Sequence, residues 1–484
     1  MGLFGILIGL ALLVGLAFRG WSVLLLAPAA ALVAALLGGQ PLLANWTQIF
    51  MGSAARFLAQ FFPLFLLGAV FGKLMEDSGA VTTVAAWMSK TLGQRRVILA
   101  VVLAGAFVTY GGVSLFVAFF VIAPMAQNLF RAAAIPRRLM PAAIVLGTST
   151  FTMSALPGTP SIQNAIPMPF FGTTLFAAPG LGIIAAVIMM AFGLWWLNRA
   201  ENAARRAGEG FGDEAVVTAE EAARDEKVRE RATAAREFDP VEIGRGCAGE
   251  TAPSIFAAAL PLGVVVLVNL IMSLAVLPRL DVSFLAEERF GATSLSAVAG
   301  VWSVVVALAA AIATVIVCNW TRLPALRQSM DAGANASVLP ALSVASLVGF
   351  GVVVADLPAF AIVRDWVLAI EGGPLVSLTV ATNVLAALTG SASGGLTIAL
   401  DTLGQTYMTI ASQAGIAPAL LHRVAVIASG TLDILPHNGA VVTLLAICGA
   451  RHRDSYFDIV MVGIVGVVLA LTAVILLGTM FGSF

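Results

Sequence analysis

Residues 388–449 read LTGSASGGLTIALDTLGQTYMTIASQAGIAPALLHRVAVIASGTLDILPHNGAVVTLLAICG. The stretch is apolar enough to lie in a bilayer, yet polar, helix-averse residues interrupt it at Ser391-Ala392-Ser393-Gly394-Gly395 and at Leu435-Pro436-His437-Asn438-Gly439. Irregular backbone at membrane depth is tolerated only where protein or a water-filled cavity satisfies its N–H and C=O groups. The two interruptions therefore read as the two halves of a transport site.

Working outward, the chain has 484 residues, 60% hydrophobic and 11% charged, against roughly 25% charged for soluble domains. With a mean hydropathy of +0.99, it is a polytopic membrane protein. Its apolar segments run to about 16–25 residues, the length of helices crossing a ~30 Å hydrocarbon core, and the alternating ten-residue pattern of barrel strands is absent. The expected class is an all-α membrane bundle. Cys247, Cys318 and Cys448 form no CxxC, and His422, His437 and His452 form no HExxH, so no metal, disulfide framework or other cofactor is expected. No GxxxxGK[ST] occurs, which argues against ATP-driven transport. The N-terminal apolar run lacks the basic start and cleavage site of a secretory signal and reads as a first span.

In order, spans are expected at 3–17, 21–38 and 57–72, with an interfacial piece at 79–91. A re-entrant hairpin at 96–130 turns at Gly111-Gly112, and a broken helix over 139–167 is interrupted at Leu156-Pro157-Gly158-Thr159-Pro160. These elements and a span at 173–197 make a first repeat, residues 1–197. A charged linker, 198–255, holds 9 of the 26 Lys and Arg and 13 of the 26 Asp and Glu. A second repeat, 256–484, has spans at 256–277, 295–318, 338–354 and 456–481, an interfacial stretch at 355–373, a hairpin at 374–414 and a broken helix at 419–449. The landmarks keep order at a nearly constant offset: Gly111-Gly112 with Gly394-Gly395 at 283, Ile135-Pro136 with Ala417-Pro418 at 282, Gly147-Thr148 with Gly430-Thr431 at 283, Leu156-Pro157 with Leu435-Pro436 at 279 and Pro63 with Pro340 at 277. If both hairpins enter and leave on one side and residue 1 starts outside, 21 of 26 Lys and Arg fall on the cytoplasmic side, as the positive-inside rule asks. Among the basic residues left outside by this assignment is Arg423. Five crossings plus one hairpin per half make the repeats inverted, and inverted repeats with broken helices at the midplane mark secondary transporters.

The tips and breaks supply the candidate ligands. Gly111, Gly112 and Ser114 on one side, and Ser391, Ser393, Gly394 and Gly395 on the other, would present N–H groups and helix starts to an anion; alternatively the glycines only permit close helix packing. The breaks add Gly158, Thr159, Ser161, Gln163 and Asn164, and His437 and Asn438, able to bind a carboxylate, a hydroxyl or a coupling cation. With the linker and loops set aside, Asp401 and Asp433 are the acids at membrane depth, and both are candidates for ion coupling. Asp433 stands one helical turn before His437. No Lys or Arg is expected at a tip or break, so the site would neutralise roughly one negative charge.

TYGGVSLF at 109–116, ALPGTPSIQNAIP at 155–167 and SGTLDILPHNGAVVTLLAICG at 429–449 resemble the gluconate permease family of the ion transporter superfamily, over nearly the full chain and nearest its D-3-hydroxybutyrate branch. The resemblance implies proton-coupled uptake of small hydroxy-carboxylates, a homodimer, and an elevator motion in which both hairpins and both broken helices move against a scaffold. It also implies that gluconate carriers have a Tyr-Glu pair where this chain has Tyr110-Gly111, which points away from gluconate. The expected partners are thus a small organic anion, H+ rather than Na+, the bilayer of a bacterial inner membrane and a second copy of the chain, with no nucleic acid. A sugar-acid symporter of the same fold, or an anion channel, is the alternative; neither a nucleophile nor a metal constellation suggests an enzyme.

Overall fold

The computed structural model describes residues 2–17, 21–93, 96–113, 115–212, 251–436 and 438–484. All regular structure among them is helical, and the all-α class expected from composition holds. Among the described residues six helices are long and apolar enough to cross a membrane: Leu42–Asp77, Pro179–Arg206, Ile255–Arg279, Leu295–Cys318, Leu326–Asp356 and His452–Phe481. Large apolar side chains stand on the outer surface, Phe256 and Met480 each 71% exposed. In water such a surface would drive aggregation; in a bilayer it meets lipid, as suits a multi-pass membrane protein.

Several bounds differ from the sequence reading, and the span expected at 338–354 lies within a longer apolar stretch, Leu326–Asp356. The span begun at 57 starts at Leu42, and it continues through Lys73 to Asp77, because Leu74 and Met75 on its buried face are fully enclosed. The helix from Pro179 runs through Arg206, into the segment assigned to the linker. Beyond it, Arg138 bonds Glu209 Oε1 and Asp458 Oδ2, both at 2.8 Å, so the start of the linker is tied to the helical body. Residues 213–250 of the expected linker lie outside the described residues.

Helical hairpins are formed by Val97–Tyr110 with Leu115–Ala132 and by Pro374–Thr389 with Ala392–Gln413. Each is followed by a helix that breaks. The first runs Met140–Thr148, Phe151–Ser154, an irregular stretch at 155–161, then Ile162–Ala165 and Pro167–Phe171; the second runs Pro418–Ser429, an irregular stretch, then Gly439–Ile447. Prolines 157, 160 and 436 cannot continue a helical hydrogen-bond ladder. Gly158 adds a φ of +82°, a left-handed turn that a side chain would resist.

These elements interlock. The first arm of each hairpin packs on the first part of the broken helix that follows it, and Leu115–Ala132 packs on Gly439–Ile447, where Gln127 Nε2 donates to Ile447 O at 3.0 Å. Against them stands a second group, in which Met51–Asp77 packs on Leu295–Cys318, Leu326–Ala336 and Val338–Asp356.

Candidate functional site

At the first tip the chain turns through Gly112, whose φ of +96° is left-handed. A Cβ there would stand 2.7 Å from Pro160 Cγ, so the tip touches the first break. Tyr110 strengthens the contact, its hydroxyl donating to Pro157 O at 2.8 Å. The N–H groups of Gly111 and Gly112 donate to Phe107 O and Thr109 O at 3.3 and 3.0 Å, so both donors are used within the turn. At the second tip Ser391 caps the helix, its Oγ accepting from Gly394 N at 3.2 Å, while Gly395 N donates to Ser391 O at 3.0 Å. A Cβ on Gly394 would strike Leu347, one on Gly395 the backbone of Ala386, and one on Gly111 the side chain of Leu262. At these three positions close packing accounts for the glycine. The N–H groups of Ala392 and Ser393, in the first turn, have no intrahelical acceptor.

Asn438 ties the second break to this tip. Its Nδ2 donates to Gly390 O at 2.9 Å and its Oδ1 accepts from Ala440 N at 2.7 Å. Asn164, fully buried in the first break, has all its positions filled: Nδ2 donates to Thr159 O and Leu175 O at 3.0 and 3.1 Å, and Oδ1 faces His422 Nε2 at 3.1 Å and Arg423 Nη1 at 3.4 Å. Because the amide oxygen is the acceptor, His422 must carry its proton on Nε2. Its Nδ1 then accepts from Thr173 Oγ1 at 2.6 Å.

Arg423 corrects the expectation that no cation stands at a tip or break. It is fully buried, and its five donors serve Ala177 O twice, at 3.1 and 2.7 Å, Ser154 O at 3.1 Å, Leu175 O at 3.4 Å and Asn164 Oδ1. Ser154 O at the first break, and Leu175 O and Ala177 O in the irregular segment before Pro179, are thus satisfied by a guanidinium from the second broken helix, whose planar fork suits several acceptors at once.

A cavity of about 180 Å³ lies where the two groups of helices meet. Gly112, Ser161, Gln163 and Ser393 line one side; Lys73, Glu76 and Ser337 line the other; Leu64, Phe65, Ile162 and Val344 are among its apolar lining. A smaller cavity of about 20 Å³, bordered by Ser149, Asp433 and Asn438, adjoins it across Leu115 and Met153. Of the expected ligands, the structure thus brings Gly112, Ser161, Gln163 and Ser393 to the larger cavity and Asp433 and Asn438 to the smaller. Gly111, Gly158, Thr159, Asn164, Ser391, Gly394 and Gly395 line neither, although Thr159 Oγ1 is buried without a hydrogen-bond partner among the described residues. Asp401 stands on the exposed face of its helix, away from both cavities. Ser114 and His437 lie outside the described residues.

A relative in Bacillus subtilis (strain 168), an uncharacterized transporter named YxjC, is 41% identical over 466 residues, 95% of each chain. The sequence model of the GntP family permease matches residues 1–218. The chain belongs to the GntP permease family. These matches carry the family and not its 3-hydroxybutyrate branch. The GntP-family chain also shares its fold with Neisseria gonorrhoeae MtrF, a structure presented as illuminating a class of antimetabolite efflux pumps, at a TM-score of 0.53 and 11% identity over 90% of this chain and 85% of that one. At that identity the likeness speaks for the fold alone.

In this GntP-family permease the cavity residues that sequence reasoning missed are Lys73 and Glu76, and, behind the site, His422 and Arg423. Ending the third span at residue 72 put Lys73 and Glu76 in a loop; the continuing apolar pair Leu74-Met75 was the available signal. For Arg423 the signal was its place in an otherwise apolar run, Ala419–Ala428, where a charge has to face protein.

Proposed function

We propose that this permease is a secondary active symporter that takes up a small hydroxy-monocarboxylate, 3-hydroxybutyrate being the best single candidate, together with protons across a bacterial inner membrane. The observation that carries the reading is the cavity itself. At about 180 Å³ it is smaller than the roughly 300–1,000 Å³ that drug-sized ligands occupy. Ser161, Gln163 and Ser393 give it polar groups on one side, and Leu64, Phe65 and Val344 give it apolar wall on the helices opposite, which also carry Lys73 and Glu76. A carboxylate and one hydroxyl find partners there while a methyl group meets the apolar wall; a sugar acid would bury several hydroxyls unpaired, which costs heavily.

The interlocked hairpins and broken helices support a reading of them as one moving body, with the group around Met51–Asp77 as scaffold, the halves as inverted repeats and the chain as a homodimer. Of the two acids put forward for coupling, Asp433 borders a cavity and Asp401 does not; Glu76 joins Asp433 as an acid at the site. Competition against labelled 3-hydroxybutyrate tests the substrate. Lactate and 3-hydroxybutyrate are expected to displace the label at lower concentration than gluconate or citrate, and the reverse order would sink the reading of the pocket.

A further inference from the structure

We propose that Lys73, Glu76 and Asp77 form the place where proton and anion exchange, the proton binding Glu76 and the substrate carboxylate binding Lys73; this rests on the symport reading above. Lys73 Nζ lies 3.3 Å from Glu76 Oε2 and 3.1 Å from Asp77 Oδ1. The three residues occupy the last turns of Leu42–Asp77, with Lys73 8% and Asp77 3% exposed. Lys73 and Glu76 both line the larger cavity, across from Ser161, Gln163 and Ser393. Asp77 keeps a second oxygen, Oδ2, buried without a hydrogen-bond donor among the described residues.

One cation and two carboxylates give the cluster a charge of about −1 when the acids are ionised. An anion arriving alone would raise it to −2 beside largely buried side chains, where such charge is heavily penalised. An anion arriving with one proton leaves it at −1. The exchange balances as follows: a proton from the water on the open side of the cavity binds Glu76 Oε2, the Lys73–Glu76 contact breaks, Asp77 keeps Lys73 in place, and the Nζ–H so released donates to the carboxylate. Departure of the anion and proton on the other side restores the pair. Helices packed on Met51–Asp77 carry Lys90, Arg131, Arg327, Asp331 and Asp356, all exposed, and Arg327 and Asp331 pair with each other. Among the described residues the charges acting on Glu76 are Lys73 and Asp77.

Proteoliposomes loaded at one pH and diluted into another, with labelled D-3-hydroxybutyrate as probe, test the proposal. The wild type is expected to accumulate label down an inward proton gradient, and a wild type that does not overturns the symport reading and this proposal together. With that established, Glu76→Gln is expected to lose accumulation, keep exchange of internal for external label, and show exchange that no longer varies with pH. Lys73→Gln is expected to raise the KM for exchange at least about tenfold, the scale of one lost charge-assisted hydrogen bond, with Lys73→Arg recovering part of it. Should Glu76→Gln misfold, Glu76→Asp, which retains a titratable acid, is expected to accumulate label with a displaced pH profile. Wild-type accumulation by Glu76→Gln, an unchanged pH profile in Glu76→Asp, or an unchanged KM in Lys73→Gln overturns the proposal and leaves the symport reading standing.

Discussion

Arg423 does for the first break what water does for a loop outside the membrane. Lysine in its place brings three donors where arginine brings five, so at least two of the contacts to Ser154, Leu175, Ala177 and Asn164 go unmade. Ala177 O takes two of the five contacts, and Leu175 O and Asn164 Oδ1 have other partners, so Arg423→Lys is expected to cost about 1–3 kcal/mol, the scale of one buried group left unsatisfied. A melting temperature in detergent equal to the wild type would contradict this role. Gln163 differs, because it is part of the cavity lining. Gln163→Leu is expected to leave the melting temperature near wild type while raising the KM for uptake about tenfold, as the loss of one substrate hydrogen bond should; an unchanged KM would remove Gln163 from the site. At this scale the sequence was least legible. Asn164 looks like a ligand in a string of polar residues, yet its neighbours consume it, and nothing in an apolar helix such as Ala419–Ala428 says which face meets the break. Burial and partners come from the packing of distant segments, which a local reading does not contain.

Elements were easier to read than residues. Helix interruption by Pro157, Gly158, Pro160 and Pro436 follows from backbone chemistry alone, and the irregular stretches stand where those residues are. Helix ends were harder: the apolar signal fades gradually, and the charged turn Lys73–Asp77 reads as a loop although packing holds it in the helix. The second hairpin offers a test by contrast. Gly395 lies against the backbone of Ala386, whereas a Cβ on Gly404 would find Phe170 at an ordinary 3.5 Å. Gly404→Ala is expected to stabilise by about 0.5–1 kcal/mol, through the usual gain of alanine over glycine inside a helix. Gly395→Ala is expected to destabilise by forcing the two arms apart. Equal shifts in melting temperature for the two variants would show that the arms are not in close contact.

For the whole molecule, the positive-inside count predicts that the region after Arg206 is cytoplasmic. Gly210 is exposed and a side chain there would touch nothing. In a version lacking the native cysteines, Gly210→Cys is expected to resist a membrane-impermeant thiol reagent in intact cells and to react once the membrane is opened; labelling in intact cells would invert the topology and the sidedness of both hairpins. The broad class, a helical membrane bundle, was legible from composition because bilayer and water select such different residues. The site was legible only as a pair of broken stretches, since the third wall, Met51–Asp77, carries no break to announce it.

The central claim, that a proton gradient drives this permease to concentrate a small hydroxy-monocarboxylate, is tested most directly by labelled D-3-hydroxybutyrate uptake into proteoliposomes with an inward pH gradient and no sodium. The account predicts that label rises above its external concentration and collapses to equality when a protonophore is added. Label that only ever equilibrates, or accumulation that needs sodium and ignores the protonophore, would contradict it.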